Sequence, residues 1–159
     1  CVGKALNISI ENIISGIKNF KLTKNRMEII KVNNITIIND CYNANFDSMK
    51  AGIENLAKMN AKRKIAILGD MLELGEYSEK LHKAVGKEVA KNNIDILICE
   101  GENSKYIIEE AQKNKKIRTY FMNNNEQIVE NLRQNLRKGD VILVKASNGM
   151  KFFEICQKL

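Results

Sequence analysis

Apolar positions along the chain change their spacing in a regular order. Ile10, Ile13, Ile14 and Ile17 recur at helical spacing behind Ser9, a residue able to cap them, and predict a helical piece over residues 4–20. The polar stretch Lys21-Leu22-Thr23-Lys24-Asn25 reads as a linker. Residues 27–33 and 35–41 read as strands joined by a tight turn at Asn33-Asn34. Helices are then predicted over 46–60, 78–92, 103–114, 125–137 and 149–158, alternating with strands over 64–69, 94–99, 117–122 and 140–145. Met49, Ile53, Leu56 and Met59 share one side of the first of these helices. Leu81, Val85 and Val89 lie four apart on the second, which Ser78 can cap.

The strands are short continuous apolar runs, such as Ile94-Asp95-Ile96-Leu97-Ile98-Cys99, and not the polar–apolar alternation of a half-exposed sheet. Strands of that kind are covered by helices on both faces. The pattern predicts an α/β fold: a mostly parallel sheet, helices on both faces, and one antiparallel edge strand from the opening hairpin. At 159 residues the chain suits one domain with a real core.

Two strand ends carry the candidate chemistry. Ile37-Ile38 runs into Asn39-Asp40-Cys41-Tyr42-Asn43-Ala44-Asn45 and straight on into a helix. Ile65-Ala66-Ile67-Leu68 repeats the plan with Gly69-Asp70-Met71-Leu72-Glu73-Leu74-Gly75. Open α/β sheets bind ligands at the C-terminal ends of their strands. Asp40 can accept from the two hydroxyls of a ribose, or serve as a turn or cap residue. Asn43 and Asn45 carry amides able to read an adenine edge, donating and accepting at once, or to cap the following helix. Asp70 can bind a substrate ammonium or cap Met71-Leu72, and Met71, Leu72 and Leu74 can line a pocket or pack on the next helix. Ser147 and Asn148, after the last strand, open a helix whose backbone N–H groups can hold an anion, with Ser147 as N-cap the compatible alternative. Arg26 can fix the linker by a salt bridge or reach a phosphate. His82, the one histidine, has no ligand-spaced neighbours and reads as a packing or helix-surface residue.

Composition narrows the classes. The net charge is +7, but the basic residues are spread along helix faces and aromatics are only 6%, so no nucleic-acid footprint is expected. Cysteines at 1, 41, 99 and 156 lack C-x-x-C spacing, which points away from zinc or a disulfide framework and toward a reducing, cytoplasmic setting. No apolar run approaches the roughly 20 residues of a membrane span. There is no G-x-x-x-x-G-K-S/T loop, no G-x-G-x-x-G and no G-x-S-x-G, so the chain reads as half of an active site.

Asp40-Cys41-Tyr42-Asn43-Ala44-Asn45-Phe46-Asp47-Ser48-Met49 closely resembles D-S-Y-N-A-N-P-D-S-M, and Leu68 to Gly75 with Ser78 and His82 resembles L-G-D-M-L-E-L-G…S…H. Both are signatures of the Mur ligases, in the branch that adds D-alanyl-D-alanine. Gly139-Asp140 to Met150 is similar to that branch's G-D-V-V-L-V-K-G-S-R-G-M, and Asn25-Arg26-Met27-Glu28 to its G-R-L-E. The resemblance runs from about residue 5 to the end. It implies residues 1–20 as the tail of a central ATPase domain, 21–26 as a linker and 27–159 as a Rossmann-like C-terminal domain. It also implies an ATP- and Mg2+-dependent amide-forming ligase of peptidoglycan precursor synthesis, joining D-alanyl-D-alanine to UDP-N-acetylmuramoyl-tripeptide. Phosphate and metal ligands would lie in upstream domains, and the fragment alone would be inactive.

The resemblance further implies ribose and adenine contacts from Asp40, Tyr42, Asn43 and Asn45, and phosphate contact from Arg26. The Asp70, Met71 and Leu72 loop, with Ser147 and Asn148, would form the dipeptide pocket. No residue here is implied as a chemical nucleophile or base. Phe46 stands where the family has Pro, Cys41 where it has Ser, and Ala146 and Asn148 where it has Gly and Arg. Rival readings are a sister ligase adding another amino acid, whose D-N-P-R signature is missing, and a stand-alone nucleotide-binding module.

Overall fold

The hairpin that opens the sheet turns on two consecutive left-handed residues, Asn33 at φ 48° and Asn34 at φ 63°. Asparagine tolerates this conformation, and two such residues match the right-handed twist of the strands they join. The turn pairs β1 (Glu28–Val32) antiparallel with β2 (Ile35–Asn39), setting Ile30 opposite Ile37. The chain is known here from a computed structural model that describes residues 1–20 and 23–159. The linker positions Lys21 and Leu22 therefore lie outside the described residues.

After β2 the chain follows the predicted alternation. α3 (Phe46–Lys58), β3 (Arg63–Gly69), α4 (Ser78–Lys91), β4 (Ile96–Glu100), α5 (Lys105–Ala111), β5 (Arg118–Phe121), α6 (Asn125–Asn135), β6 (Asp140–Lys145) and α7 (Phe153–Lys158) succeed one another. The strands lie in the order β1-β2-β6-β3-β4-β5, and every pair except β1–β2 is parallel. The last strand thus enters the middle of the sheet, where Leu143 pairs with Ile38 on one side and Ala66 on the other. All six residues of β6 are buried, as a strand with neighbours on both edges and helices on both faces requires.

Side-chain alternation divides the core in two. Met49, Ile53 and Leu56 of α3, Val85 and Val89 of α4 and Ile107 of α5 pack on Ile38, Ala66, Leu68, Leu97 and Leu143. Ile128 and Leu132 of α6 and Ile155 of α7 pack on Ile37, Ile65, Ile67, Ile98 and Val144. Each such aliphatic side chain contributes about 1.5–3 kcal/mol on leaving water. Arg63 and Asp140 tie the beginnings of β3 and β6 together, with two hydrogen bonds of 2.9 and 2.5 Å. The Asp140 bond holds the Arg63 guanidinium pKa above its ordinary value.

Two elements differ from expectation. The segment 4–20 is not one helix but α1 (Val2–Ala5) and α2 (Ile10–Lys18), broken where Asn7 is left-handed at φ 55°. Ser9 caps α2 as expected, accepting from the Asn12 N–H at 3.3 Å. Neither helix has a buried residue, and Val2, Leu6, Ile10, Ile14, Ile17 and Phe20 are exposed. The final helix is also shorter than 149–158. A 3-10 turn at Asn148–Met150 and a left-handed Lys151 at φ 54° intervene before α7 begins. Among the described residues no helix is long and apolar enough to cross a membrane.

Packing and burial generate two tests. α4 and α5 meet at Gly86, where a Cβ would strike the Ile107 carbonyl oxygen and come within 2.7 Å of the Glu110 Cβ. Gly86→Ala gains up to about 1 kcal/mol of helix propensity but forces about 1–3 kcal/mol of overpacking against backbone. Its urea midpoint is expected to fall with an unchanged slope. All four cysteines are free, and Cys41, Cys99 and Cys156 are buried. A hydrogen bond to Cys156 and burial raise the Cys41 pKa, and burial beside Asp70 raises that of Cys99, so thiolate is scarce at both. A disulfide reagent at pH 8 should titrate Cys1 alone in the native protein and all four thiols in denaturant.

Candidate functional site at the ends of β2, β3 and β6

The chain passes from β2 through α3 to β3 and leaves a gap that only β6 later fills. The loops after β2, β6 and β3 therefore stand side by side, at the place where open sheets form a ligand crevice. Backbone bonds seam them together: Asp40 N–H donates to the Val144 carbonyl and Ser147 N–H to the Asp70 carbonyl, each at 3.0 Å.

The first half of the site forms around a buried ion pair. Lys145, the last residue of β6, points to the α3 face, and its side chain is 2% exposed. Its Nζ donates to Asp40 Oδ2 at 2.6 Å, to the Asn43 carbonyl at 3.0 Å and to the Asp40 carbonyl at 3.4 Å. Asp40 Oδ1 accepts from the Met27 N–H at 3.1 Å. Each oxygen of this carboxylate thus holds one protein partner and keeps a second lone pair.

The chain entering β1 is knotted to the same strand end. Tyr42 N–H donates to the Asn25 carbonyl at 2.9 Å, and Asn39 Nδ2 donates to Asn25 Oδ1 and Glu28 Oε2 at 2.9 and 3.0 Å. Asn25 and Met27 are both left-handed, at φ 60° and 48°. The corner they make presents Arg26, whose guanidinium carbon lies 3.7 Å from the centre of the Tyr42 ring. Of the two readings, a salt bridge or a reach toward a phosphate, no ion pair of Arg26 is seen among the described residues; its guanidinium stacks on Tyr42 instead.

A groove of about 370 Å³ runs between this corner and α3. Arg26, Asp40, Tyr42, Asn43, Asn45 and Lys145 stand in its wall, and Ala51 and Gly52 of α3 keep its side low. Asn45 caps α3, accepting from the Ser48 N–H at 2.9 Å while Ser48 Oγ accepts from the Asn45 N–H at 3.0 Å. Asn43 Oδ1 accepts from the Ala44 N–H at 2.8 Å. Each amide oxygen thus accepts one backbone bond and keeps a second lone pair, beside the –NH2 donors of the same side chains.

The second half is built from Asp70, but not as an open carboxylate. Asp70 is 4% exposed, and its oxygens accept from the Ser104 N–H at 2.7 Å and the Asn103 N–H at 3.1 Å. It therefore caps the chain entering α5 and not Met71-Leu72, and it offers a substrate ammonium little access. Gly101, at φ 124°, lies against this carboxylate, where a Cβ would come within 2.6 Å of Asp70 Cγ.

His82 is fully buried and clamps the same loop. Its Nε2 accepts from the Met71 N–H at 3.0 Å, so Nδ1 carries the proton and donates to the Ser78 carbonyl at 2.7 Å. Ser78 is not the expected cap: a 3-10 turn at Gly75–Tyr77 leads into α4, and Ser78 Oγ lies 3.3 Å from His82 Nδ1. Ser147 makes no cap bond either; its Oγ accepts from the Leu72 N–H at 2.9 Å. Met71 is buried in the core, while Leu72 and Asn148 are exposed beside each other's loops.

The fold thus brings Arg26, Asp40, Tyr42, Asn43 and Asn45 into one groove. Asp70, Met71, Leu72, Ser147 and Asn148 form the neighbouring turn. Sequence reasoning missed Lys145, whose signal was a charge at the end of the apolar run Val141-Ile142-Leu143-Val144. It also missed Gly101 and Ser104, which only the tertiary fold brings to Asp70. Among the described residues no group of three or more His, Cys, Asp or Glu side chains could hold a metal ion. A tighter cleft of about 60 Å³, rimmed by Arg63, Arg118 and Arg137, opens at the other end of the strands. It is too small for a nucleotide, given the roughly 300–1,000 Å³ of typical ligand pockets.

The family model described as Mur ligase, glutamate ligase domain, matches residues 25–148. A UDP-N-acetylmuramoyl-tripeptide–D-alanyl-D-alanine ligase of Bacillus subtilis is 37% identical over 99% of the chain, and one of Buchnera aphidicola 35% identical over 98%. The chain covers 35% and 33% of these two, so it spans about a third of the length of the curated relatives it matches. A MurF ligase of Thermotoga maritima, solved in complex with ADP, superposes at TM-score 0.83 with 26% identity, over 99% of this chain and 35% of that one.

Gly101→Ala tests the Asp70 cap. The variant must accept an unfavourable φ and push the carboxylate off its N–H partners, a loss of about 2 kcal/mol or more. Urea unfolding should show that loss, and amide exchange at Asn103 and Ser104 should accelerate.

Proposed function

The chain belongs to the Mur ligase family, and we propose that it is the C-terminal domain of the ligase that joins D-alanyl-D-alanine to UDP-N-acetylmuramoyl-tripeptide at the expense of ATP. One observation carries the reading. The signature at 40–49 folds into a groove whose wall holds an ion-paired carboxylate, two side-chain amides and a stacked guanidinium. Residues 27–159 are the domain proper, 21–26 the linker and 1–20 the tail of the preceding ATPase domain. The exposed apolar side of α2 supports that division, because a helix with no buried residue has its partner elsewhere.

In this reading the groove takes the nucleoside of ATP. The Asp40 carboxylate uses its remaining lone pairs on the ribose hydroxyls, the Asn43 and Asn45 amides donate to ring nitrogens of adenine, and Tyr42 offers an aromatic face. Arg26 reaches toward the phosphates, which its guanidinium fork suits. A bound magnesium ion supplies charge neutralisation at the transferring phosphoryl group. The resemblance to the Mur ligases assigns the ligands of that ion and the phosphate loop to upstream domains. The Asp70–Leu74 loop and the Ser147–Asn148 turn form the dipeptide side, with Asp70 acting through the loop it holds.

The reaction so assembled passes the γ-phosphoryl group to the tripeptide carboxylate. The amine of D-alanyl-D-alanine attacks the acyl phosphate, and phosphate leaves. This domain supplies position and not a nucleophile, a contribution that can still be worth several kcal/mol of the barrier.

The test is phosphate release by the complete polypeptide with ATP, magnesium and UDP-sugar tripeptide. Release should require D-alanyl-D-alanine and fall at least about tenfold in kcat/KM for Asp40→Ala, a loss of about 1.4 kcal/mol or more. Release that answers to a different amino acid would assign a sister ligase. No release with any acceptor would leave a nucleotide-binding module.

A further inference from the structure

We propose that Lys145 is a positioning residue that sets both walls of the groove and touches no ligand itself. The inference rests on the nucleotide reading of that groove. A lysine ammonium has three protons, and the Lys145 head faces three acceptors: Asp40 Oδ2, the Asn43 carbonyl and the Asp40 carbonyl. No donor remains for a phosphate or a base. The head acts instead as a point charge, able to serve acceptors in three directions where a planar guanidinium could not.

What those acceptors belong to gives the residue its role. Asp40 is the proposed ribose contact, and its other oxygen holds the Met27 N–H. Moving Asp40 therefore moves the left-handed corner that carries Arg26 over Tyr42. The Asn43 carbonyl fixes the turn from which the Asn43 and Asn45 amides project. One ammonium thus places the ribose acceptor, the phosphate-side cation and the base-side donors. The support beneath it is rigid: β6 is paired on both edges, and the Lys145 stem packs along α3 at Gly52.

Lys145→Met and Lys145→Arg in the complete ligase separate these roles, each read for kcat, for KM toward ATP and toward D-alanyl-D-alanine, and for urea stability. Lys145→Met should raise KM for ATP roughly tenfold or more, with kcat and KM for the dipeptide within about threefold of wild type. Lys145→Arg keeps the charge, and with it the fold should the methionine variant not fold. It should still raise KM for ATP, because its flat head cannot satisfy all three acceptors. A folded variant with unchanged KM for ATP and only lower stability overturns the proposal, as does a fall in kcat with KM for ATP unchanged.

Amide exchange at Met27 and Ala44 in the same proteins gives a readout free of turnover. Faster exchange there in Lys145→Arg, with global stability kept, supports positioning, and unchanged exchange overturns it. A wild type without dipeptide-dependent release counts against the ligase reading alone, and exchange then decides the role of Lys145.

Discussion

A lysine ammonium inside a sheet constrains everything around it. Lys145 is buried where the effective dielectric is low, and stranding its charge there would cost several kcal/mol. It is tolerated because Asp40 comes to it at 2.6 Å with two carbonyl oxygens completing the shell. That meeting demands a particular register. β2 must lie beside β6 with Ile38 against Leu143, and α3 must pass close enough to offer a glycine. A slip of one residue would turn Lys145 into the opposite core, which Ile142 and Val144 of its own strand now line. The pair therefore selects one alignment of the central strands more sharply than aliphatic packing could.

The same device recurs across the crevice, with backbone groups as the partners. Asp70, His82 Nε2 and Ser147 Oγ each accept from backbone N–H groups of the loops at these strand ends. Loops at strand ends would otherwise carry unsatisfied donors. Here those donors are met by side chains from β3, α4 and the turn after β6, so each loop's shape is dictated by elements of the two cores. The residues that resemble a family signature are thus of two kinds. Some face the groove; others hold up those that do.

Much of this was legible in the chain because it rests on period and on local chemistry. Continuous apolar strands announced a sheet covered on both faces, Asn33-Asn34 announced the hairpin, and the polar strand ends announced where the groove would open. The failures were of a different sort. Helical spacing of isoleucines ran through Asn7 without sensing that its backbone would turn left-handed. Ser78 and Ser147 looked like caps because cap residues are recognised by neighbours in sequence, whereas their hydrogen bonds go to His82 and Leu72. Asp70 looked available because its partners, Asn103 and Ser104, lie more than thirty positions away. Periodicity reports which face is buried; it says nothing of which distant amide will claim a carboxylate.

The corner at Asn25–Met27 has a mechanical meaning. Hydrogen bonds from Met27, Tyr42 and Asn39 fasten it to the end of β2 on both sides of Arg26. Were a pivot to separate the N-terminal helices from the sheet, it would have to lie before Asn25, and Arg26 would ride with the sheet as a fixed tooth. When such a joint swings, the cation keeps its distance to Asp40 and Tyr42 and changes its distance only to whatever the other body carries. The groove would travel as a finished half-socket, and its angle of approach would be the sole variable left to the hinge.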